Sequence, residues 1–343
     1  MARRIKVLIV DDSLLFRETL AREISKDFGI EVVGTAEDPY VARDKILELQ
    51  PDVVTLDVEM PKMDGIAFLK KLMPQYPLPV VVISSVENNV FDALSAGAVD
   101  FVAKPKSKAG TASFYNELVV KIKIASTAKV AQYKLQADAG ARLRPPVASG
   151  LDETIIAIGA STGGTEALAS IINVLPSEMP GIVIVQHMPP VFTKMYADRL
   201  NNSSRLRVKE AEDGDPLIPG TALVAPGDFQ MELVKDRGSF RVRCFKGEKV
   251  SGHCPSVDVL FRSVAASVGR HAMGVILTGM GSDGAKGLLE IRKRGAFTIG
   301  QDEKTSVVYG MPMVAYNIGA VEKQLPLDRI PQELCDRVSQ KNG

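Results

Sequence analysis

The 343-residue sequence lacks tryptophan and contains only three cysteines, Cys244, Cys254 and Cys335. These cysteines are widely spaced and form no C-x-x-C pair, which argues against a zinc ribbon and against a disulfide framework. Aromatic residues make up only 6% of the chain, so extensive stacking on nucleic-acid bases is not expected. No apolar run approaches the roughly 20 residues of a membrane-spanning helix. We therefore expect a protein of the reducing cytoplasm.

An excess of charge of either sign is also missing, because 42 Lys and Arg stand against 41 Asp and Glu, for a net charge of +1. This balance argues against a protein that mainly binds nucleic-acid phosphates or an anionic membrane surface. The apolar stretch near the amino terminus is too short for a signal peptide, and acids follow it at once. The length predicts about two domains.

Short β-branched strands alternate with amphipathic helices in both halves of the chain, which predicts an α/β protein with two doubly wound, parallel-sheet domains. The second half has a Gly- and Pro-rich middle that predicts some antiparallel elements. Between the halves, residues 126–151 are rich in Ala, Ser, Gly and basic residues and contain Pro145-Pro146, so we interpret them as a linker. The predicted domains are therefore residues 1–125 and 152–343.

Acidic residues follow two predicted strands of the first half. Asp11 and Asp12 come after IKVLIV, and Asp57 ends the strand in PDVVTLDVEM. Since the carboxyl ends of parallel strands share one edge, these carboxylates should converge with Ser84 and Lys104, which end two further strands. A cation such as Mg²⁺ would offset their repulsion, and a carboxylate in such a site can accept a phosphoryl group. Alternatively, single acids at strand ends simply cap the following helices.

The motifs IVDDS, LDVEMPKMDG, ISS and AGAVDFVAKP resemble those of response-regulator receiver domains over about residues 3–125. The resemblance implies a flavodoxin-like fold, with Asp57 as the phosphoacceptor. The Mg²⁺ ligands that it implies are Asp11, Asp12, Asp57 and the backbone carbonyl of Glu59. The residues that it implies for sensing the phosphoryl group are Ser84, Phe101 and Lys104.

The second half contains GASTG at 159–163, directly after a predicted strand and before a predicted helix. This G-x-S-x-G pattern is typical of an exposed nucleophile, here Ser161, with backbone N–H groups nearby for an oxyanion. The same kind of turn is also typical of phosphate binding. Of the three histidines, only His187 follows a predicted strand, whereas His271 precedes one and belongs at the opposite edge. His253 lies in the loop SGHCPS, whose position the sequence leaves open.

Asp283 lies in the glycine-rich turn after the strand MGVILTG, at the same predicted edge as Ser161 and His187. It could be a helix cap, but an aspartate here can also orient an imidazole and stabilise its protonated form. Three strands that each deliver one residue to one edge predict a Ser161–His187–Asp283 triad. The order Ser, His, Asp along the chain differs from the order in α/β-hydrolases, which predicts a different fold.

The motifs IGASTGGTEAL, VQHMPPVFT, HCPSVDVLFRSVA and LTGMGSDGA resemble the catalytic domains of the CheB family, the chemotaxis protein-glutamate methylesterases. The resemblance implies demethylation of glutamate γ-methyl esters and deamidation of glutamines on membrane-bound chemoreceptors, without a cofactor for the esterase. It also implies a chemotaxis histidine kinase as phosphodonor, and an oxyanion site formed by the Thr162 side chain and the Met280 amide. Where this chain has Cys254, the family often has a basic residue.

The alternative is a response regulator with a nucleotide-binding or DNA-binding output domain. In a dinucleotide-binding fold, GASTGG would be the phosphate turn, and an acid would end the second strand to bind the ribose. Gln186 and His187 occupy that place instead. The second half also shows no helix-turn-helix pattern and no basic face, which argues against a DNA-binding domain.

Overall fold

In a computed structural model of the chain, the described residues are 3–85, 89–105, 110–130, 143 and 151–340. The chain divides into two compact units, Met1–Lys134 and Leu135–Gly343, which we describe separately. Most of the predicted linker, residues 126–151, lies outside the described residues. Within the described ranges, no helix is long and apolar enough to cross a membrane.

The first unit is built on a five-stranded parallel sheet with strand order β2-β1-β3-β4-β5. The central strands β3 and β4 are buried at every position, which explains their continuous apolar sequences. Its strands are β1 (Ile5–Val10), β2 (Ile30–Ala36), β3 (Val53–Asp57), β4 (Val80–Ser84) and β5 (Asp100–Ala103). Its helices are α1 (Leu14–Ile24), α2 (Pro39–Leu49), α3 (Gly65–Leu72), α4 (Val90–Ser95) and α5 (Thr111–Ala125).

The second unit contains a seven-stranded parallel sheet, with strand order β14-β13-β12-β6-β7-β9-β8, and a separate antiparallel hairpin, β10-β11. Its first strands are β6 (Ile155–Ala160), β7 (Gly181–Gln186), β8 (Arg207–Glu210), β9 (Thr221–Val224) and β10 (Gln230–Asp236). The remaining strands are β11 (Ser239–Phe245), β12 (Ala272–Ile276), β13 (Phe297–Gln301) and β14 (Lys323–Leu325). Its helices are α6 (Gly164–Ile172), α7 (Phe192–Ser203), α8 (Val257–Val268), α9 (Ala285–Lys293), α10 (Met311–Asn317) and α11 (Ile330–Gln340).

The predicted fold class, two parallel α/β sheets with some antiparallel elements in the second half, is confirmed. The antiparallel element is the hairpin, whose inner face joins the core that also contains Phe261 and Val264 of α8. Packing of this hairpin against α8 therefore helps to place the start of that helix, which lies at the site described next. Strand β2 was not predicted, because Glu31 and Gly34 interrupt its apolar pattern.

Candidate active site and phosphoacceptor site

The second unit brings the predicted triad residues together at one edge of its sheet. Ser161 directly follows β6, His187 directly follows β7, and Asp283 lies in the turn between β12 and α9. The strands β12, β6 and β7 are neighbours in the middle of the sheet. Since they are parallel, their carboxyl ends deliver the three side chains side by side.

The turn that carries Ser161 is held tightly. Gly163 has a φ of 74°, and a Cβ there would lie 2.6 Å from Val307 Cβ. A Cβ added to Gly279, in the turn after β12, would lie 2.6 Å from Ser161 Cβ. The Ser161 amide donates a hydrogen bond to the Thr278 carbonyl at 3.0 Å. Both glycines are therefore required by close approach, and together with this bond they fix the serine against the neighbouring strand end.

His187 connects the other two residues of the predicted triad. Its Nδ1 lies 3.1 Å from Ser161 Oγ, and its Nε2 lies 2.8 Å from Asp283 Oδ2. Because an ionised carboxylate only accepts hydrogen bonds, Nε2 carries the proton and Nδ1 is available to accept one from the serine. The ring is thus turned the opposite way from the serine-protease triad, in which Nε2 faces the nucleophile.

Four donors surround the buried carboxylate of Asp283. Oδ1 accepts from Ser256 Oγ at 2.8 Å and the Asp258 amide at 3.0 Å, and Oδ2 accepts from the Val257 amide at 2.8 Å and from His187. The two amides belong to the first turn of α8, where negative charge is favoured. Burial alone would raise the pKa of Asp283, but the hydrogen bonds and the His187 charge outweigh burial and hold that pKa below its usual range. Asp283 is therefore suited to orient His187 as an ionised acceptor.

A buried amide side chain ties the serine turn to the histidine. Gln186, the last residue of β7, donates through Nε2 to the carbonyls of Ser161 at 3.0 Å and His187 at 3.2 Å. Its Oε1 has no hydrogen-bond partner among the described residues. Gln186 thus sets the spacing of the two backbones, whereas the sequence identified it only as the neighbour of His187.

Thr162 and Met280, the predicted oxyanion residues, both flank Ser161. Thr162 follows it in the turn and is buried, and its carbonyl accepts from Thr278 Oγ1 at 2.9 Å. Met280 follows Gly279, which packs against Ser161, and its side chain is exposed. Both residues lie at the correct edge, and their role toward an oxyanion stays a prediction.

The structure places His253, whose position the sequence left open, directly on His187. The two ring centroids are 3.6 Å apart and the ring planes differ by 6°. Ligand atoms of His187, His253 and Asp283 lie within 4.8 Å of one another. However, the in-plane lone pairs of two stacked rings lie in two parallel planes that do not meet, so they do not converge on one ion. The contact is therefore a ring stack rather than a metal site.

In the first unit, Lys104 joins two buried carboxylates. Its Nζ lies 2.7 Å from Asp57 Oδ2 and 2.9 Å from Asp11 Oδ2. Burial raises the pKa of Asp57 to about 6, with Asp11 adding to the rise and Lys104 opposing it. Burial would lower the pKa of Lys104, but its two carboxylate partners outweigh burial and raise it. The single charge of Lys104 does not balance the carboxylates around it, so this acidic pocket keeps an excess of negative charge.

The residues predicted around Mg²⁺ fit such an ion. Carboxylate oxygens of Asp11, Asp12 and Asp57 lie within 4.8 Å of one another, and Asp12 is exposed to solvent. The Glu59 amide donates to Asp57 Oδ1 at 3.2 Å, so the backbone of Glu59 runs beside the pocket. Its side chain accepts a hydrogen bond from Ser85. An all-oxygen donor set with excess negative charge is the kind that Mg²⁺ prefers.

The predicted switch residues lie on the two neighbouring strands. Ser84, at the end of β4, is buried, and its carbonyl accepts from the Lys104 amide at 2.8 Å. Phe101 of β5 is buried with Lys121 Nζ 5.0 Å from its ring centroid. Ser84 therefore lies beside the acidic pocket, because its backbone is bonded to that of Lys104. The switching roles of Ser84 and Phe101 stay predictions.

Two family models match the chain, CheB methylesterase over residues 156–334 and response regulator receiver domain over residues 7–112. The protein-glutamate methylesterase/protein-glutamine glutaminase 2 of Syntrophomonas wolfei is 58% identical over 98% of this chain and 99% of its own. The protein-glutamate methylesterase/protein-glutamine glutaminase of Syntrophotalea carbinolica is 51% identical over 99% of each chain. The crystal structure of the Thermotoga maritima CheB methylesterase catalytic domain is 42% identical, with a TM-score of 0.53, and the match covers 54% of this chain and 98% of that one.

These matches support the esterase reading of the second unit and not the alternative of a nucleotide-binding or DNA-binding output domain. Both family models lie on the sequence where the two resemblances were found. The relatives match over nearly their whole length, so the two parts occur together in them as well. The chain therefore belongs to the CheB methylesterase family and carries a response-regulator receiver domain ahead of its catalytic domain.

Proposed function

We propose that this chain is a serine hydrolase of chemotactic adaptation, controlled by phosphorylation of its receiver domain. It removes methyl groups from glutamate γ-methyl esters of chemoreceptors and deamidates specific receptor glutamines. Both reactions are named in the relatives, protein-glutamate methylesterase/protein-glutamine glutaminases. The observation that carries the proposal is the continuous hydrogen-bonded chain from Ser161 through His187 to Asp283. The protein acts in the cytoplasm, and it meets the membrane only through its receptors.

The geometry supports acyl transfer through an ester of Ser161. Ser161 Oγ attacks the side-chain carbonyl carbon while His187 Nδ1 takes the hydroxyl proton. The oxyanion lies against the Thr162 side chain and the Met280 amide, and Asp283 stabilises the imidazolium. His187 then gives the proton to the departing methoxide or amide nitrogen, which leaves as methanol or ammonia. Water, deprotonated by Nδ1, hydrolyses the acyl-serine to free glutamate and Ser161.

The direct test measures methanol release from receptor membranes that carry labelled methyl groups, with the purified full-length chain. We expect release that rises with the concentration of the chain, and conversion of receptor glutamine to glutamate detected by mass spectrometry. Absence of both products, with and without a phosphodonor, would contradict the proposed function.

We expect Asp283→Asn to lower kcat by about 10⁴-fold, because an amide cannot accept from donors on both sides and mis-sets the His187 tautomer. Asp258→Asn is the matched control. Asp258 is also buried in the first turn of α8, and its Oδ1 accepts from the Gly287 amide at 2.7 Å. The assay is methanol release at saturating receptor, with thermal unfolding of each variant recorded. Equal losses of kcat in both variants would show that Asp283 acts only on folding.

The receiver part of the proposal assigns Asp57 as the acceptor of a phosphoryl group from a chemotaxis histidine kinase. Asp11, Asp12, Asp57 and the Glu59 carbonyl would hold Mg²⁺, which would supply positive charge to offset that of the phosphoryl and carboxylate oxygens. The carboxylate of Asp57 attacks phosphorus, and the bond from phosphorus to the kinase histidine breaks. Lys104 Nζ, already 2.7 Å from Asp57 Oδ2, pairs with the oxygens of the group transferred. Ser84 and Phe101 respond to its presence.

We propose domain limits of 1–125 and 152–343, with residues 126–151 as the linker. We also propose that the receiver restricts access to Ser161 until Asp57 is phosphorylated. A linker of about 25 residues keeps the two domains at an effective concentration of roughly millimolar. A coupling free energy of about 1–3 kcal/mol then changes the rate about 5- to 150-fold.

We therefore expect a phosphodonor to raise methanol release by the full chain within that range of about 5- to 150-fold. A fragment that starts near residue 150 should, without phosphodonor, release methanol as fast as the full chain does with it. The solved catalytic domain of the Thermotoga maritima relative is such an isolated unit. The measurement is the initial rate on receptor membranes for both proteins. A fragment no faster than the unphosphorylated chain, together with no response to phosphodonor, would overturn this regulation and leave the esterase assignment intact.

A further inference from the structure

A second imidazole lies face to face with the histidine that carries the proton transfers. The rings of His253 and His187 are parallel within 6° and their centroids are 3.6 Å apart. Because the His253 ring covers one face of the His187 ring, it opposes tilting of that ring. The His187 ring is thus kept in the plane in which Nδ1 points to Ser161 and Nε2 points to Asp283. Rotation of the ring out of that plane would break both hydrogen bonds, so the stack helps to maintain them.

The backbone of His253 is fixed independently of its ring. His253 and Val250 exchange both backbone hydrogen bonds at 3.0 Å. The two residues between them, Ser251 and Gly252, have φ values of 53° and 85°, as in a tight turn with two left-handed residues. The buried side chain of Gln230 donates to the His253 carbonyl at 3.3 Å. The ring is thus presented from a well-supported turn.

Hydrogen bonding shows which form of the His253 ring faces His187. Its Nδ1 lies 2.9 Å from the Ser251 carbonyl, which only accepts, so Nδ1 carries a proton. Burial, and after it the charge of His187, lowers the pKa of His253 to about 4, with Lys249 adding to the fall and Asp283 and the Ser251 carbonyl opposing it. At neutral pH a neutral ring therefore covers His187.

The shape of the contact favours the charged state of His187. Two neutral aromatic rings prefer an offset or edge-to-face arrangement to a close sandwich, whereas a cation is attracted to the face of a ring. In the proposed acyl transfer His187 takes the Ser161 proton and becomes an imidazolium. Attraction that appears only at that point lowers the barrier without strengthening substrate binding.

We propose that His253 is a positioning residue for His187: its neutral ring holds the His187 plane and stabilises the imidazolium formed during acyl transfer. This inference rests on the triad proposed above. It assigns a function to His253, which is not itself a member of the triad, in the loop SGHCPS that also supplies Ser256 to Asp283. It also predicts an effect on kcat rather than on KM, because His253 acts through His187.

Two substitutions distinguish the effect of the His253 ring from the effect of its hydrogen bond to the Ser251 carbonyl. His253→Asn can still donate to the Ser251 carbonyl but removes the ring, whereas His253→Phe keeps a flat ring and removes the donor. We expect His253→Asn to lower kcat about 10- to 30-fold with little change in KM, and His253→Phe to stay within roughly threefold of the unaltered chain. The assay is methanol release by the full-length chain from methyl-labelled receptor membranes. His271→Asn, at the opposite edge of the sheet, should leave both constants unchanged.

A spectroscopic measurement accompanies the kinetics. The proton shared by His187 Nε2 and Asp283 should give a low-field proton resonance that persists in His253→Phe and broadens by exchange with water in His253→Asn. If His253 only anchored its loop, Asn would be the fast variant and Phe the slow one, and that result would overturn the proposal. If the Asn variant does not fold, a kcat for the Phe variant more than about tenfold below that of the unaltered chain overturns it. Full activity of His187→Ala would instead refute the triad itself.

Discussion

Replacing Ser161 by alanine is expected to reduce methyl ester hydrolysis by about 10³-fold or more, because no oxygen remains to form the acyl intermediate. His187→Ala should cost a similar factor, since Ser161 Oγ, 3.1 Å from Nδ1, then loses its proton acceptor. The two residues act as one unit, so the double variant should be little slower than either single variant. Single-turnover methanol release from labelled receptor membranes measures all three.

Ser282→Ala serves as the control for this experiment. Ser282 is exposed in the same turn as Asp283, and it has no part in the proposed acyl transfer. We expect its rate to equal that of the unaltered chain. Substantial turnover by Ser161→Ala, with a preparation free of other esterases, would refute the assignment of the nucleophile.

The second large effect is expected in the receiver, where Asp57→Asn should abolish labelling by a small phosphodonor. The buried carboxylate beside Asp11 and Lys104 is the nucleophile in this proposal, and an amide does not replace it. Labelling of the unaltered chain should also be lost when excess chelator removes Mg²⁺. The measurement is incorporation of labelled phosphate, followed by mass spectrometry of the peptide that contains residue 57.

Asp64→Asn is the matched control, because Asp64 lies near the same pocket and caps α3 through the Ala67 amide at 2.7 Å. Asparagine caps a helix as well as aspartate does, so the helix start is preserved. This variant should be labelled like the unaltered chain. Stable labelling of Asp57→Asn at another residue would move the phosphorylation site.

The sequence was sufficient to predict the residues that directly follow buried strands. Ser161, His187 and Asp57 each end an apolar β-branched run, and parallel pairing puts such residues at one edge whatever the details of packing. Asp283 could be placed for the same reason, through its glycine-rich turn after β12. The placement of these residues at one edge depended only on parallel strands, which the alternation of strands and helices along the sequence predicts.

The remaining parts of the site depend on contacts between distant segments. His253 belongs to a loop without periodicity, and its position follows from the tight turn at Ser251 and from Gln230 on the hairpin. The orientation of the His187 ring, with Nδ1 toward the serine, depends on where Ser256 and α8 hold Asp283. No local pattern reports such contacts, just as none predicted the edge strand β2.

The order of strands in the second sheet has a consequence for synthesis on the ribosome. Ser161 and His187 leave the ribosome early, but β12, which pairs with β6 from Ala272 to Ile276, is made much later. Until then one side of β6 has unpaired backbone groups, and an apolar open edge of this kind readily joins strands of other chains. Distant parallel pairing is also slow. A chain cut short before β12 should therefore aggregate rather than work as a weak esterase, so chaperone demand should peak before Ala272–Ile276 have left the ribosome.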